Sequence, residues 1–177
     1  MGGRSRTTPF QAPWSTRNAR ADQSVIVQEK PLYCGCACIA MVLRTLGIDP
    51  PSQDELFMLK GTDYPYTTPE LARVLTDLSD GLLWKGDPVT ARFEPTEMSL
   101  QQVMTAMRQH APWIAMMWET FDSIGHFVVV DAATEHEVLV RDPRGQLYAI
   151  PMDDFLADTN SWNGLSAFVT RSSGGGI

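Results

Sequence analysis

The chain has 177 residues, a mass of 19.7 kDa and 44% hydrophobic residues, which predicts a single domain with one core. Its 14 Lys and Arg residues against 21 Asp and Glu residues give a formal net charge of −7, so we expect no nucleic-acid partner, because most of the surface would repel a phosphate backbone. No stretch approaches the roughly 20 apolar residues of a membrane span, and the first residues lack the apolar segment of a secretory signal, so we expect a cytoplasmic protein or one exported by a non-classical route.

Both ends of the chain have the composition of flexible segments. Residues 1–23 are rich in Arg, Ser, Thr, Gly and Pro, with only Phe10 and Trp14 as large apolar residues. The last seven residues include three consecutive glycines. We therefore expect a flexible N-terminal arm over 1–23, a folded domain over 24–170 and a flexible tail over 171–177.

The first half of the domain is predicted to be helical after one short strand. Residues 25–31 have the pattern of a strand that enters a loop. A helix is predicted from Cys34 to Leu46, with apolar side chains at helical spacing and Gly47 as its C-terminal cap. Further helices are predicted over 53–60, over 69–78 with Thr68 as N-cap, and from Thr96 or Ser99 to just before Pro112.

The second half of the domain shows the pattern of β-strands. Apolar runs separated by turns predict strands over 113–118, 125–132, 137–141, 146–150 and 165–170, with a turn over 142–145 and a short helix near Asp153. Because the connections are short, neighbouring strands are expected to pair antiparallel. The predicted fold class is α+β, with an N-terminal helical half packed on a C-terminal antiparallel sheet.

Three cysteines lie together at the start of the helix predicted over 34–46. Their spacing is too local for a disulfide to join distant parts of a fold. The N-terminus of a helix stabilises a thiolate through free N–H groups and the helix dipole, which makes Cys34 the candidate nucleophile. Cys36 and Cys38 are expected to act as small buried apolar residues, whereas Gly35 is expected to let a substrate backbone approach the sulfur.

A thiol nucleophile needs a base, and the chain has three histidines from which to choose. His110 sits at a helix end before Pro112, where a cation complements the helix dipole, and His136 lies between two glutamates in a turn. His126 instead opens a strongly apolar strand whose entrance can face the helix N-terminus. We therefore predict His126 as the base.

Two further residues complete the predicted site. Asp142 ends the next strand, sixteen residues after His126, so antiparallel pairing brings its carboxylate near the ring, where it can fix the tautomer. Asp131 is the rival, but it lies at the far end of the His126 strand. Gln28 lies just upstream of Cys34, so its side-chain NH2 and the Cys34 backbone N–H are the candidate oxyanion hole.

These motifs resemble those of a known family. Gln28, Cys34-Gly35, Gly125-His126-Phe-Val-Val-Val and Val140-Arg141-Asp142-Pro143 are similar to the papain-like cysteine peptidases, most closely the peptidase C39 and C39-like branch. The resemblance covers about residues 25–150 and implies the papain-like fold, with the four site residues in the roles given above. Papain itself has Asn as the orienting residue and an aromatic residue after its second cysteine, and this chain has neither, which favours the C39-like branch.

The resemblance implies a stand-alone peptidase that cuts a peptide or protein, in the manner of the branch members that cut leader peptides after a double glycine. Two alternatives stay open: an effector or toxin that deamidates or transacylates a Gln side chain with the same residues, and a non-catalytic module that binds leader peptides. A structural zinc site is disfavoured, because a Cys-x-Cys-x-Cys run on a helix points its sulfurs to different sides. We expect no metal and no cofactor, and the oligomeric state stays open.

Overall fold

The computed structural model of the protein describes residues 15–16, 25–86, 104, 111–119, 124–159 and 168–171. Its helices are α1 (Cys34–Thr45), α2 (Gln53–Leu59), α3 (Thr68–Leu78) and α4 (Met152–Thr159). Its strands are β1 (Ser15–Thr16), β2 (Trp84–Gly86), β3 (Trp113–Glu119), β4 (Ile124–Ala133), β5 (Glu137–Asp142), β6 (Gln146–Pro151) and β7 (Phe168–Arg171). Met104 is helical, and the rest of the helix predicted before Pro112 lies outside the described residues.

The described strands form one antiparallel sheet in the order β1-β6-β5-β4-β3-β7-β2. Strands β3 to β6 follow one another along the chain and pair with their neighbours, as their short connections predict. The turn between β5 and β6 closes with a hydrogen bond of 2.9 Å from the Gly145 N–H to the Asp142 carbonyl. Gly145 has φ of +105°, a backbone conformation that glycine adopts without steric cost.

Two apolar cores lie on the two faces of this sheet. Successive residues of a strand point to opposite faces, so Ile114 of β3 belongs to one core while Ala115 belongs to the other. The first core joins the sheet to α1, α2 and α3, and residues 34–43 of α1 are all buried in it or beside it. The second core joins the sheet to α4 through Phe155. Helix α1 is therefore a central element of the fold.

Two sequence predictions need correction. Residues 25–28, predicted as a strand, form no regular strand; their backbone contacts instead the turn after β5 and a side chain of α2. The N-cap of α3 is Thr67 and not Thr68, because the Thr67 hydroxyl accepts from the Glu70 N–H at 3.4 Å. Thr68 is instead the first residue of the helix.

Most of the predicted arm and of the predicted tail lies outside the described residues. Within the predicted arm, Ser15 and Thr16 form β1 and pair with Ala149 and Tyr148 of β6. The division itself stays a prediction. None of the described helices has both the length and the apolar character that a membrane crossing requires.

Candidate active site

Cys34 is the first residue of α1, with Tyr33 as the N-cap, and only 8% of its surface is exposed. Burial raises the pKa of its thiol. A hydrogen bond from His126 and the charge of that ring act the other way, together with backbone hydrogen bonds at Phe127 and Gly35, and the net pKa lies below the ordinary value of 9.0. The residue is therefore placed to ionise more readily than a free thiol.

His126 of β4 is buried and contacts both of its predicted partners. Burial lowers the pKa of the ring, but the hydrogen bonds and charges of Asp142 and Cys34 raise it more, to about 9. The ring Nε2 lies 2.9 Å from Oδ1 of Asp142. Because Asp142 occupies Nε2, Nδ1 is the ring nitrogen left for the thiol.

Asp142 ends β5 and is fully buried. Val129 of β4 lies opposite Arg141, so the next residue, Asp142, comes beside Val128, two positions from His126. This register explains how residues sixteen apart in the chain meet. Asp142 Oδ1 also accepts from the Arg144 N–H at 2.9 Å, so the turn that follows the strand holds the carboxylate in place.

Gln28 is attached to the same turn through its backbone. Its N–H donates to the Pro143 carbonyl at 2.7 Å, which ties Gln28 to the residue after Asp142. Its side-chain Nε2 donates to the Lys30 carbonyl at 3.1 Å, and its Oε1 is buried with no hydrogen-bond partner in the described part of the chain. The structure thus brings Cys34, His126 and Asp142 into one hydrogen-bonded group and links Gln28 to it through Pro143; the oxyanion role of Gln28 stays a prediction.

The rival residues have other surroundings. Asp131 forms a buried ion pair with Arg141, Nε to Oδ2 at 2.8 Å. His136 is exposed beside Glu135, and His110 lies outside the described residues. These positions leave His126 and Asp142 as the described imidazole and carboxylate in the hydrogen-bonded group of Cys34.

Cys36 and Cys38 are fully buried, as predicted for small apolar residues. Burial raises the pKa of Cys36 to about 12 and raises that of Cys38 well above 9.0, so both stay neutral thiols. In the described residues, no group of three or more His, Cys, Asp or Glu side chains is arranged to hold a metal ion.

The structure gives Gly35 a packing role, and its predicted role in the approach of a substrate stays a prediction. A Cβ added to Gly35 would lie 2.9 Å from Cβ of Tyr66, closer than carbon atoms tolerate. Tyr66 is buried there, and its hydroxyl donates to the Leu56 carbonyl of α2. The missing side chain therefore lets Tyr66 pack against the start of α1.

The sequence analysis missed the group of residues that holds the chain just before Cys34. Asp54 in the first turn of α2 accepts from Lys30 Nζ at 2.6 Å and from the Tyr33 hydroxyl at 2.7 Å. Pro31 and Leu32 lie between Lys30 and Tyr33 and form a turn, in which the Tyr33 N–H donates to the Lys30 carbonyl at 3.2 Å. Leu32 has φ of +71° and is 45% exposed, although this position favours glycine. Only the Pro31 turn signal was visible in the sequence.

Comparisons with known proteins agree with this geometry. The model of the Peptidase_C39 like family matches residues 20–168. A curated relative, Cysteine protease effector 1 of Escherichia coli O1:K1:H7, is 30% identical over 157 residues, which cover 88% of this chain and 28% of the relative. The chain thus spans less than a third of the length of that relative.

Two solved structures share the fold. The peptidase domain of Streptococcus ComA, a bi-functional ABC transporter of a quorum-sensing pathway, matches with a TM-score of 0.59 and 18% identity, over 85% of this chain and 99% of that domain. A double glycine motif protease from an AMS/PCAT transporter, solved in complex with a leader peptide, matches with a TM-score of 0.59 and 21% identity, over 89% of this chain and 97% of that protease. The predicted α+β, papain-like fold is confirmed.

Proposed function

Because the chain belongs to the Peptidase_C39 like family of cysteine peptidases, we propose that it hydrolyses peptide bonds through Cys34, His126, Asp142 and Gln28. The observation that carries the proposal is the buried pair of His126 and Asp142, 2.9 Å between Nε2 and Oδ1, whose ring also bonds the thiol at the start of α1. The opposite pKa shifts of the thiol and the ring favour a thiolate and an imidazolium side by side.

In the proposed reaction, the Cys34 thiolate attacks the carbonyl carbon, a C–S bond forms, and the carbonyl electrons move onto oxygen. The Gln28 side-chain NH2 and the Cys34 N–H stabilise this oxyanion. The C–N bond then breaks as the leaving amine takes the proton of the His126 imidazolium, which leaves a thioester. Water that gives its proton to His126 hydrolyses the thioester and restores the thiolate.

The proposed substrate is a peptide or protein segment with small residues before the cleaved bond. The C39-like motifs support this class, and one relative in fold is a double glycine motif protease solved with a leader peptide. A second candidate is proteolysis of a target protein by an effector, supported by the relative named Cysteine protease effector 1. Deamidation or transacylation of a Gln side chain would use the same thioester chemistry.

The proposal predicts selective reaction of Cys34 with iodoacetamide near neutral pH. Cys34 has a lowered pKa, whereas Cys36 and Cys38 are buried with raised pKa values, so peptide mapping by mass spectrometry should find the label on Cys34 alone. The His126→Ala variant should label at least about tenfold more slowly at neutral pH. Equal labelling of all three cysteines, or an unchanged rate in His126→Ala, would contradict the thiolate and imidazolium pair.

Mass spectrometry of substrate peptides separates the candidate activities. Peptides containing Gly-Gly and internal Gln are incubated with the protein and with Cys34→Ala. Cleavage yields two shorter peptides, whereas deamidation leaves the peptide intact and converts Gln to Glu. A non-catalytic binding module would retain the peptide without changing it, and Cys34→Ala would bind equally well.

A further inference from the structure

The segment that carries Gln28 is held by a side chain of α2 and not by a neighbouring strand. Gln53 Nε2 donates to the Val27 carbonyl at 2.8 Å, and Gln53 Oε1 accepts from the Glu29 N–H at 3.0 Å. The Gln53 side chain is almost fully buried, with 4% of its surface exposed. A single carboxamide therefore binds the backbone on both sides of Gln28.

A third hydrogen bond holds the same segment from the other direction. The Gln28 N–H donates to the Pro143 carbonyl at 2.7 Å, in the turn that follows Asp142. The backbone around Gln28 is thus fixed between α2 and the turn at the end of β5. These three bonds fix the backbone from which the Gln28 side chain starts, and the bond from its Nε2 to the Lys30 carbonyl at 3.1 Å holds the amide itself.

Position 53 requires an amide for this double contact. The Glu29 N–H needs an acceptor and the Val27 carbonyl needs a donor, and the carboxamide of Gln carries an acceptor oxygen and a donor NH2 on one carbon without any change of protonation. The helix that presents Gln53 is itself fixed by a capping box, in which the Ser52 hydroxyl accepts from the Glu55 N–H and the Glu55 carboxylate accepts from the Ser52 N–H. Gln53 is therefore held rigidly at the first position of α2.

We propose that Gln53 is a positioning residue for the oxyanion donor Gln28, an inference that rests on the proposed function. Gln53 acts through the backbone of Val27 and Glu29 and does not itself touch the substrate. Its loss would leave the thiolate of Cys34 intact but would let the Gln28 amide move away from the oxyanion.

Two probes that react with the same sulfur test this inference. The p-nitrophenyl ester of N-acetylglycine acylates Cys34 through a tetrahedral oxyanion and releases p-nitrophenolate, whereas iodoacetamide alkylates the sulfur by displacing iodide, without an oxyanion. Gln53→Met, which removes both hydrogen bonds at similar side-chain length, should slow acylation about tenfold and change alkylation by less than about twofold. Gln28→Ala should have the same signature, and adding Gln53→Met to Gln28→Ala should produce no further loss.

Further variants separate positioning from simple destabilisation. Gln53→Leu, which is shorter and also removes both hydrogen bonds, keeps the test open if Gln53→Met does not fold. Val74→Ala, a core truncation in α3, is the matched control, and it should lower the melting temperature without changing the ratio of acylation to alkylation.

Each outcome decides one of the two claims. A normal ratio in both Gln53 variants, or a full further loss on adding Gln53→Met to Gln28→Ala, overturns the positioning role while the proposed function stands. An unchanged ratio in Gln28→Ala overturns the oxyanion role in the proposed function, and the positioning role with it. A parallel fall of acylation and alkylation in the Gln53 variants assigns Gln53 to general stability and overturns the inference.

Discussion

At the scale of single residues, α1 shows one residue type in two electrostatic environments. Cys34 and Cys36 are both buried, and burial raises the pKa of each thiol. At Cys34 the ring of His126 and nearby backbone hydrogen bonds outweigh burial. At Cys36 burial outweighs the charge of Lys60 and a backbone hydrogen bond, which lower the pKa, so the pKa rises to about 12. Two positions along a helix therefore separate an ionisable thiol from an inert one.

The carboxylate of Asp142 should determine the alkaline limit of activity. Burial lowers the pKa of His126, but the hydrogen bonds and charges of Asp142 and Cys34 together raise it from 6.5 to about 9. In Asp142→Asn the charge is lost, so the His126 pKa should fall and the alkaline limb of the pH–rate profile should move to lower pH. The pH midpoint of iodoacetamide alkylation should move higher, because a smaller fraction of His126 is then protonated and the Cys34 thiolate is stabilised less. Both profiles are measured by stopped assays across the pH range.

Asp153→Asn on the first turn of α4 is the matched control for this substitution, since it makes the same chemical change outside the site. It should leave both profiles in place. If Asp142→Asn leaves the alkaline limb where it was, the carboxylate does not control the protonation of His126.

At the scale of the elements, the end of β5 is connected to both ends of α1. Arg141 donates to both carboxylate oxygens of Asp131 on β4, at 2.8 and 2.9 Å, and to the Thr45 hydroxyl in the last turn of α1 at 2.8 Å. The next residue, Asp142, holds His126, which meets the first residue of α1. The strand thus fixes the helix against the sheet at two points.

Removal of Asp131 should therefore destabilise the whole fold. The side chains of Arg141 and Asp131 are 1% and 5% exposed, so Asp131→Ala leaves a buried guanidinium without its counter-charge. We expect the free energy of unfolding to fall by about 3–5 kcal/mol, measured by urea denaturation.

The matched control is Glu135→Ala, which breaks the exposed pair of Glu135 and His136. Such surface pairs contribute little, so the urea midpoint should hardly change. Equal effects of the two substitutions would show that the Arg141 contacts do not stabilise the fold.

The elements that the sequence predicted best are those with strong local patterns. Helix α1 was predicted over 34–46 and lies over 34–45, because apolar periodicity and Gly47 mark it in the sequence. Strand β2 was missed, since it has three residues and pairs with β7, more than eighty residues later in the chain. Residues 25–28 were mistaken for a strand because a strand and an extended segment held by Gln53 have the same local composition.

At the scale of the whole molecule, the buried thiols and a buried phenol make the stability of the protein sensitive to alkaline pH. Burial raises the pKa of Cys36 to about 12, and it also raises the pKa values of Cys38 and Tyr66 above 9.0 and 10.0. In the unfolded chain these groups ionise near those ordinary values. As pH rises the unfolded chain therefore releases protons first, and stability that is complete below about pH 9 is lost towards pH 12.

We expect the melting temperature to fall between about pH 8 and about pH 10.5, measured by differential scanning calorimetry. His126 adds to this loss of stability. Its raised pKa contributes stability that is complete below pH 6.5 and is lost as pH rises through about 9. Cys34 acts in the opposite direction and offsets part of it. The melting temperature of Cys36→Ala should fall less steeply with pH than that of the wild type. An identical slope would contradict the contribution of the buried thiol.

The sequence by itself determined the fold class, the family resemblance and the position of Cys34 at a helix start, because helix periodicity and strand alternation are local properties. It also placed His126 and Asp142 correctly beside each other, since short connections between strands leave few possible registers. Only the tertiary structure decided that Arg141 pairs with Asp131, that Gly35 accommodates Tyr66 and that Gln53 binds the backbone around Gln28. Those contacts join residues whose separation in the sequence matches no helix or strand repeat, so they form only when the helices pack on the sheet.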